Sequence, residues 1–124
     1  MNINIELNQK YYASDNSTPC GCNYCKNYYH QIKLAYPNVY SYLESMGIDV
    51  LRPLELSSID PDESGIVEYC VCQYIVFGSC EENYHHTIDN VKFDISTSYP
   101  NTSVNEEHFV LEFYPITLPM KFFL

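Results

Sequence analysis

The sequence predicts an α+β domain in which a helical segment precedes a run of antiparallel strands. Three observations predict it. Between residues 28 and 46 apolar side chains recur every three or four positions (Tyr28/Tyr29, Ile32, Tyr36, Val39, Leu43, Met46), which marks one face of a helix. After Arg52-Pro53 the apolar spacing drops to two, the period of a strand. Turn-forming residues then punctuate the second half at 60–65 and at Asp89-Asn90. One strand, then helices, then strands calls for helices packed on an antiparallel sheet or a two-layer β structure.

Each element has its own justification. Ile3, Ile5 and Leu7 alternate with polar neighbours, so residues 2–7 predict a half-buried strand. The polar stretch up to Pro19 reads as loop. The helical pattern predicts two short helices, 23–35 and 37–46. A proline ring clashes with the carbonyl four residues earlier, so Pro37 breaks the run and suits the first position of the second helix. Gly47 fits the left-handed residue that closes a helix, with Ile48 folding back. Leu54-Glu55-Leu56 and residues 66–77 predict strands joined around Asp60-Pro61-Asp62-Glu63-Ser64-Gly65. The second of these is apolar on both faces and belongs in the middle of a sheet. Residues 84–88 and 91–97 predict a hairpin turning at Asp89-Asn90, residue types that tolerate positive φ. Residues 108–118 predict a last strand, kinked at Pro115 or confined by it to an edge.

The chain of 124 residues, 46% hydrophobic, predicts one domain over 1–124, with a helical part at about 20–47 and an acidic β part at about 54–118. No stretch approaches the roughly 20 apolar residues of a membrane helix. The N-terminus lacks the basic start and apolar block of a signal peptide. A cytoplasmic protein is therefore expected, with reduced cysteines and with Asn16-Ser17-Thr18 and Asn101-Thr102-Ser103 as chance glycosylation-like triplets. The net charge of −10 falls entirely on residues 54–124, where twelve acids face only Lys92 and Lys121. That field repels phosphate backbones and anionic lipids, which argues against nucleic acid and membrane and in favour of a basic protein partner or plain solubility.

Chemistry concentrates at Cys20-Gly21-Cys22-Asn23-Tyr24-Cys25. Zinc takes four ligands in a tetrahedron, and two thiolates at C-x-x-C spacing supply two of them without strain. Cys20 adds a third across Gly21, and Cys80, following Gly78 in a loop, is the expected fourth, with His85, His86 and His108 as substitutes. The same thiols also fit two other readings. They can be small buried side chains, or Cys22 and Cys25 can be the attacking and resolving thiols of a thiol–disulfide oxidoreductase or redox sensor. Cys70 and Cys72, in a buried strand, read as core. The sequence contains no G-x-S-x-G, phosphate-binding loop, H-E-x-x-H or dinucleotide fingerprint, so nothing in it argues for an enzyme. Tyr11, Tyr12, Tyr24, Tyr40 and Tyr42 fall off the helical stripe or in loops and are candidates for partner contact. The end, Met120-Lys121-Phe122-Phe123-Leu124, is expected to tuck into the core.

The segment from Cys20 to Tyr28, together with Cys72-Gln-Tyr-Ile-Val-Phe-Gly78 and Glu106-Glu-His-Phe-Val-Leu111, resembles a family of small uncharacterised bacterial proteins carrying a C-G-C-x-Y-C-x-N-[FY] motif. The resemblance implies a bacterial origin and no particular activity. Small acidic bacterial proteins without catalytic signatures are often immunity proteins, inhibitors or accessory factors, an association of class rather than of chemistry.

Overall fold

The computed structural model describes residues 1–14 and 19–122. The triplet at 16–18 and the final Phe123 and Leu124 lie outside the described residues. Among these, three helices and seven strands follow the order β1 (Asn2–Ile3), α1 (Ile5–Ser14), α2 (Asn23–Ala35), α3 (Pro37–Ser45), β2 (Glu55–Ile59), β3 (Ile66–Ser79), β4 (His85–Ile88), β5 (Val91–Ile95), β6 (His108–Tyr114) and β7 (Ile116–Pro119). The α+β class is as expected, with the helices N-terminal to a mostly antiparallel, curled sheet.

β3 is the axis of that sheet. Along one edge it pairs with β2 and then with β1, and along the other with β7 and then with β6. β5 and β4 extend the sheet beyond β6. The 14 residues of β3 span four partners because a bulge at Cys70 changes its alternation. Val67 and Tyr69 before it, and Cys72, Tyr74 and Val76 after it, all face the helices. Cys72 is core, as expected, whereas Cys70 is half-buried at the bulge and its thiol reaches the Ser57 carbonyl.

The helix boundaries at 23–35 and 37–45 match the periodicity, with Pro37 at the first helical position and Gly47 at φ +84. Ile48 folds back onto the Leu43 carbonyl. Asp89 and Asn90 take φ values of 51 and 67 and turn the β4–β5 hairpin.

One element differs from expectation. Residues 5–14 are a helix, not a strand and loop. Asn4 decides this: its side-chain oxygen accepts from the Leu7 N–H at 3.1 Å, capping a new helix after only two strand residues. Asn8 and Tyr12, four apart, then face inward. At Pro115 the kinked alternative holds and the edge alternative does not, because the register on β3 continues across the break. Pro115 separates β6, central between β3 and β5, from β7, and both lie on β3.

Of the tyrosines read as candidates for partner contact, one is buried and four are half-buried. Tyr12 is buried and donates to the Ile75 carbonyl, while Tyr11, Tyr24, Tyr40 and Tyr42 pack against the core. Tyr28 and Tyr74 share a hydrogen bond, and Tyr74 also donates to the Val50 carbonyl, so their hydroxyls are satisfied inside. Two buried amides fasten the layers. Asn8 donates to Met46 O and accepts from Phe77 N, tying α1 to the end of α3 and to β3. Asn27 donates to Pro119 O and the Tyr69 hydroxyl and accepts from Lys121 N and Gln31, tying α2 to the C-terminal segment. Phe122 lies against His30 of α2.

Candidate metal centre

The cysteine cluster sits where the chain enters α2. Cys22 is the N-cap of that helix, in extended conformation, and its sulfur accepts the Cys25 N–H at 3.4 Å. The unpaired N–H groups and dipole of a helix start favour negative charge, so this position suits a thiolate. Cys25, in the first turn, points inward and is buried, while Cys20 and Cys22 are exposed. Neighbouring residues fix the turn against the sheet. The Tyr69 hydroxyl donates to the Tyr24 carbonyl at 2.6 Å, and the Tyr24 hydroxyl donates to Asp60 at 3.0 Å.

The three sulfurs converge within 4.8 Å of one another and can hold a metal ion. Tetrahedral zinc, with Zn–S near 2.3 Å, separates its sulfurs by about 3.8 Å. The cluster therefore needs only a small contraction to meet that geometry. Its donor set is soft sulfur, which selects zinc, copper(I) or iron over magnesium or calcium. The backbone N–H of Cys22, and then the thiols of Cys25 and Cys22, hold the Cys20 thiol below its ordinary pKa. Burial first, and then the Cys20 and Cys22 sulfurs, push the Cys25 thiol up. The two thiols differ because one faces water and the other faces the core.

Tyr29 is the member that sequence reasoning missed. It lies one helical turn after Cys25, on the same face of α2. Its hydroxyl is pushed up by burial first and then by the charges of Cys25 and Cys20. The signal was the i, i+4 spacing from Cys25, which the helical stripe had assigned to packing alone. A cavity of about 250 Å³ opens beside the cluster, lined by Pro19, Cys20, Cys25, Tyr29, Arg52 and Leu54 among others.

The structure brings together three of the four expected ligands. Cys80 is not among the converging thiols. It follows the C-terminal end of β3, beside the N-terminal amino group and Glu81, whereas Tyr69, which anchors the cluster, lies eleven residues earlier, within β3. At about 3.3 Å per residue that is a separation on the order of 30 Å along the strand. Cys80 was placed by the freedom of a glycine-led loop. Gly78 in fact sits against β1, where an added Cβ would lie 1.9 Å from the Asn2 carbonyl oxygen.

The three histidines also lie elsewhere. Both ring nitrogens of His108 are engaged, by Thr102 and the Glu106 carbonyl. His86 rests against Tyr42 and Phe93, and His85 faces the other side of the sheet beside Asp94. Among the described residues no helix is long and apolar enough to cross a membrane. Comparison with family models, curated proteins and solved structures gives no match to this chain.

Proposed function

We propose that this chain is a non-enzymatic, cytoplasmic protein-binding domain with a basic partner, of the inhibitor or immunity class, stapled by one structural zinc ion on Cys20, Cys22 and Cys25. The observation that carries the staple is the convergence of three sulfurs at a capped helix start, with Cys25 buried and the turn anchored to the sheet through Tyr24 and Tyr69. Such an ion would join the entry loop to the helical layer, which is the role of a closed structural site. The charge distribution supports the partner: the whole net −10 lies in the β half. Association with a basic protein would then weaken steeply as salt rises.

Native mass spectrometry of untagged protein, purified reduced and without chelator, tests the staple. A mass excess of one zinc is expected, lost in Cys22→Ser and retained in Cys80→Ser, because Cys80 lies away from the cluster. A bare reduced mass with stability indifferent to chelator overturns it. If Cys22 in that bare protein is also alkylated rapidly at pH 6, the cluster belongs to thiol–disulfide exchange, with Cys22 attacking and Cys25 resolving. For the partner, a pull-down whose captured protein is basic and released by salt is the expected result. Salt-insensitive capture counts against it.

A further inference from the structure

On the face of the sheet turned away from the helices, one row of polar side chains crosses five strands. Register pairs Glu55 with Gln73, Gln73 with Glu112, Glu112 with Asp94, and Asp94 with His85. Directly opposed residues share a face with their Cβ atoms about 4.5–5.5 Å apart. Asp94 and Glu112 are thus like charges set side by side, an arrangement that destabilises a sheet unless something cationic lies between them. Among the described residues neither is ion-paired, although Lys92 is on the same face two residues before Asp94. Burial first, and then the Glu112 charge, push the Asp94 carboxyl up, with His85 acting against them.

The row borders an open cavity of about 320 Å³, lined by Glu82, His85, Asp94, Ser96, Ser98 and Glu112 among others. Gln73, only 3% exposed, lies behind three of these lining residues: Nε2 donates to Glu112 Oε1, Ser96 Oγ and Ser98 O at 2.7–3.0 Å. That amide nitrogen has two protons for three acceptors, and the Oε1 beside it is buried with no donor at all. Three carboxylates and the Ser98 carbonyl leave the lining rich in acceptors and poor in donors, and the unpaired Gln73 oxygen is buried behind it. Such a site calls for a ligand made of donors. A small divalent ion needs its oxygens within about 2.0–2.6 Å, and among the His, Cys, Asp and Glu side chains of the described residues the carboxylates here form no converging group of three, as the thiols do. A guanidinium, with five N–H donors on a planar fork, spans a wider gap and pairs with carboxylates bidentately.

We infer that this cavity receives an arginine side chain of the basic protein partner, held between Asp94 and Glu112. This rests on the basic-partner reading above and gives it an address. The test uses isotope-labelled protein titrated with N-acetyl-arginine amide, followed by amide NMR shifts, beside N-acetyl-lysine amide, calcium and zinc salts, and a short arginine-rich peptide. Saturable shifts at the Gln73 carboxamide and at Ser96, Asp94 and Glu112 are expected. Binding should be about tenfold weaker in Asp94→Asn/Glu112→Gln, an isosteric variant that removes repulsion and keeps the fold.

Shifts spread without saturation over the acidic surface overturn the inference, as does equal binding by the variant or a response to the metal salts alone. If the peptide binds tightly elsewhere and ignores the double variant, the cavity is wrong and the basic-partner reading stands. If no basic probe binds at low salt, both fall.

Discussion

At the start of α2 three sulfurs come from six consecutive residues, whereas the cavity on the far face draws its acceptors and its walls from three strands and the loops beside them. The first site is a turn. Its sulfurs are carried on a loop and one helical turn, two of them in water, so their separation can shrink around an ion. The second is a lattice position. Its carboxylates stand on β5 and β6, between β4 and β3, and their spacing is fixed by strand pairing. A flexible, soft-donor site can close on a small ion. A rigid, hard-donor site must take a ligand already wide enough to span it. The same acidic protein thus separates holding itself together from holding something else.

The comparison is most severely tested by detaching the helix that carries the thiols. Asn27→Ala removes a fully buried amide that hydrogen-bonds the Tyr69 hydroxyl, Pro119 O, Gln31 and Lys121 N, and the loss of four such bonds should cost about 2–4 kcal/mol. The urea midpoint of the metal-free protein would read it. A loss this large with metal absent would show that α2 is docked by its amide first and stapled second. Metal removal itself is the next largest effect. Zinc present at a hundred times its dissociation constant adds about 2.7 kcal/mol, so chelator should lower the midpoint correspondingly and do nothing to Cys22→Ser. If chelator moves both proteins alike, the turn is held by Tyr24, Tyr69 and packing alone.

The two sites were unequally legible in the sequence, for the same physical reason. Cys20, Cys22 and Cys25 are neighbours in the chain, so their meeting follows from local geometry. Cys80 was assigned across 55 residues with no register to guide it, and β3 carries it away. The carboxylate row went unseen because its signal is distributed. Gln73 interrupts Val71-Cys72 and Tyr74-Ile75, Glu112 interrupts Leu111 and Phe113, and Asp94 separates Phe93 from Ile95. Each is one polar residue inside an apolar strand, and only pairing shows that they share a line. The fold was read well where a proline, a glycine or a long period spoke. It was misread at residues 5–14, where a capping asparagine outweighed three alternating residues, and at Tyr12, which is buried and whose hydroxyl finds the Ile75 carbonyl, a partner that no local pattern announces.

The smallest expected effect separates the two sites most cleanly, because it should run opposite to the others. Asp94→Asn ends a like-charge contact with Glu112, so it should stabilise the protein by about 0.2–1 kcal/mol at neutral pH while weakening arginine binding. The pH dependence supplies the sign. In the folded state the Asp94 carboxyl is held above its ordinary value by burial and by Glu112, so the native protein keeps that proton longer than the unfolded chain does. Its contribution is therefore favourable only below the unfolded value of about 3.9, and is lost as pH rises through the raised folded value. Measured as a difference between wild type and Asp94→Asn, the variant's advantage should be complete at pH 7 and vanish below about pH 3.9. Gln73 and Lys92 are common to both proteins, whereas the variant also loses the attraction between His85 and Asp94, which works against the gain. A residue kept at a cost to stability, at a place where an amide of the same shape would relieve it, is the mark of a site retained for binding. An Asp94→Asn protein no more stable than wild type at pH 7 would mean that the repulsion is already relieved within the chain, and the cavity would have no need of a cation.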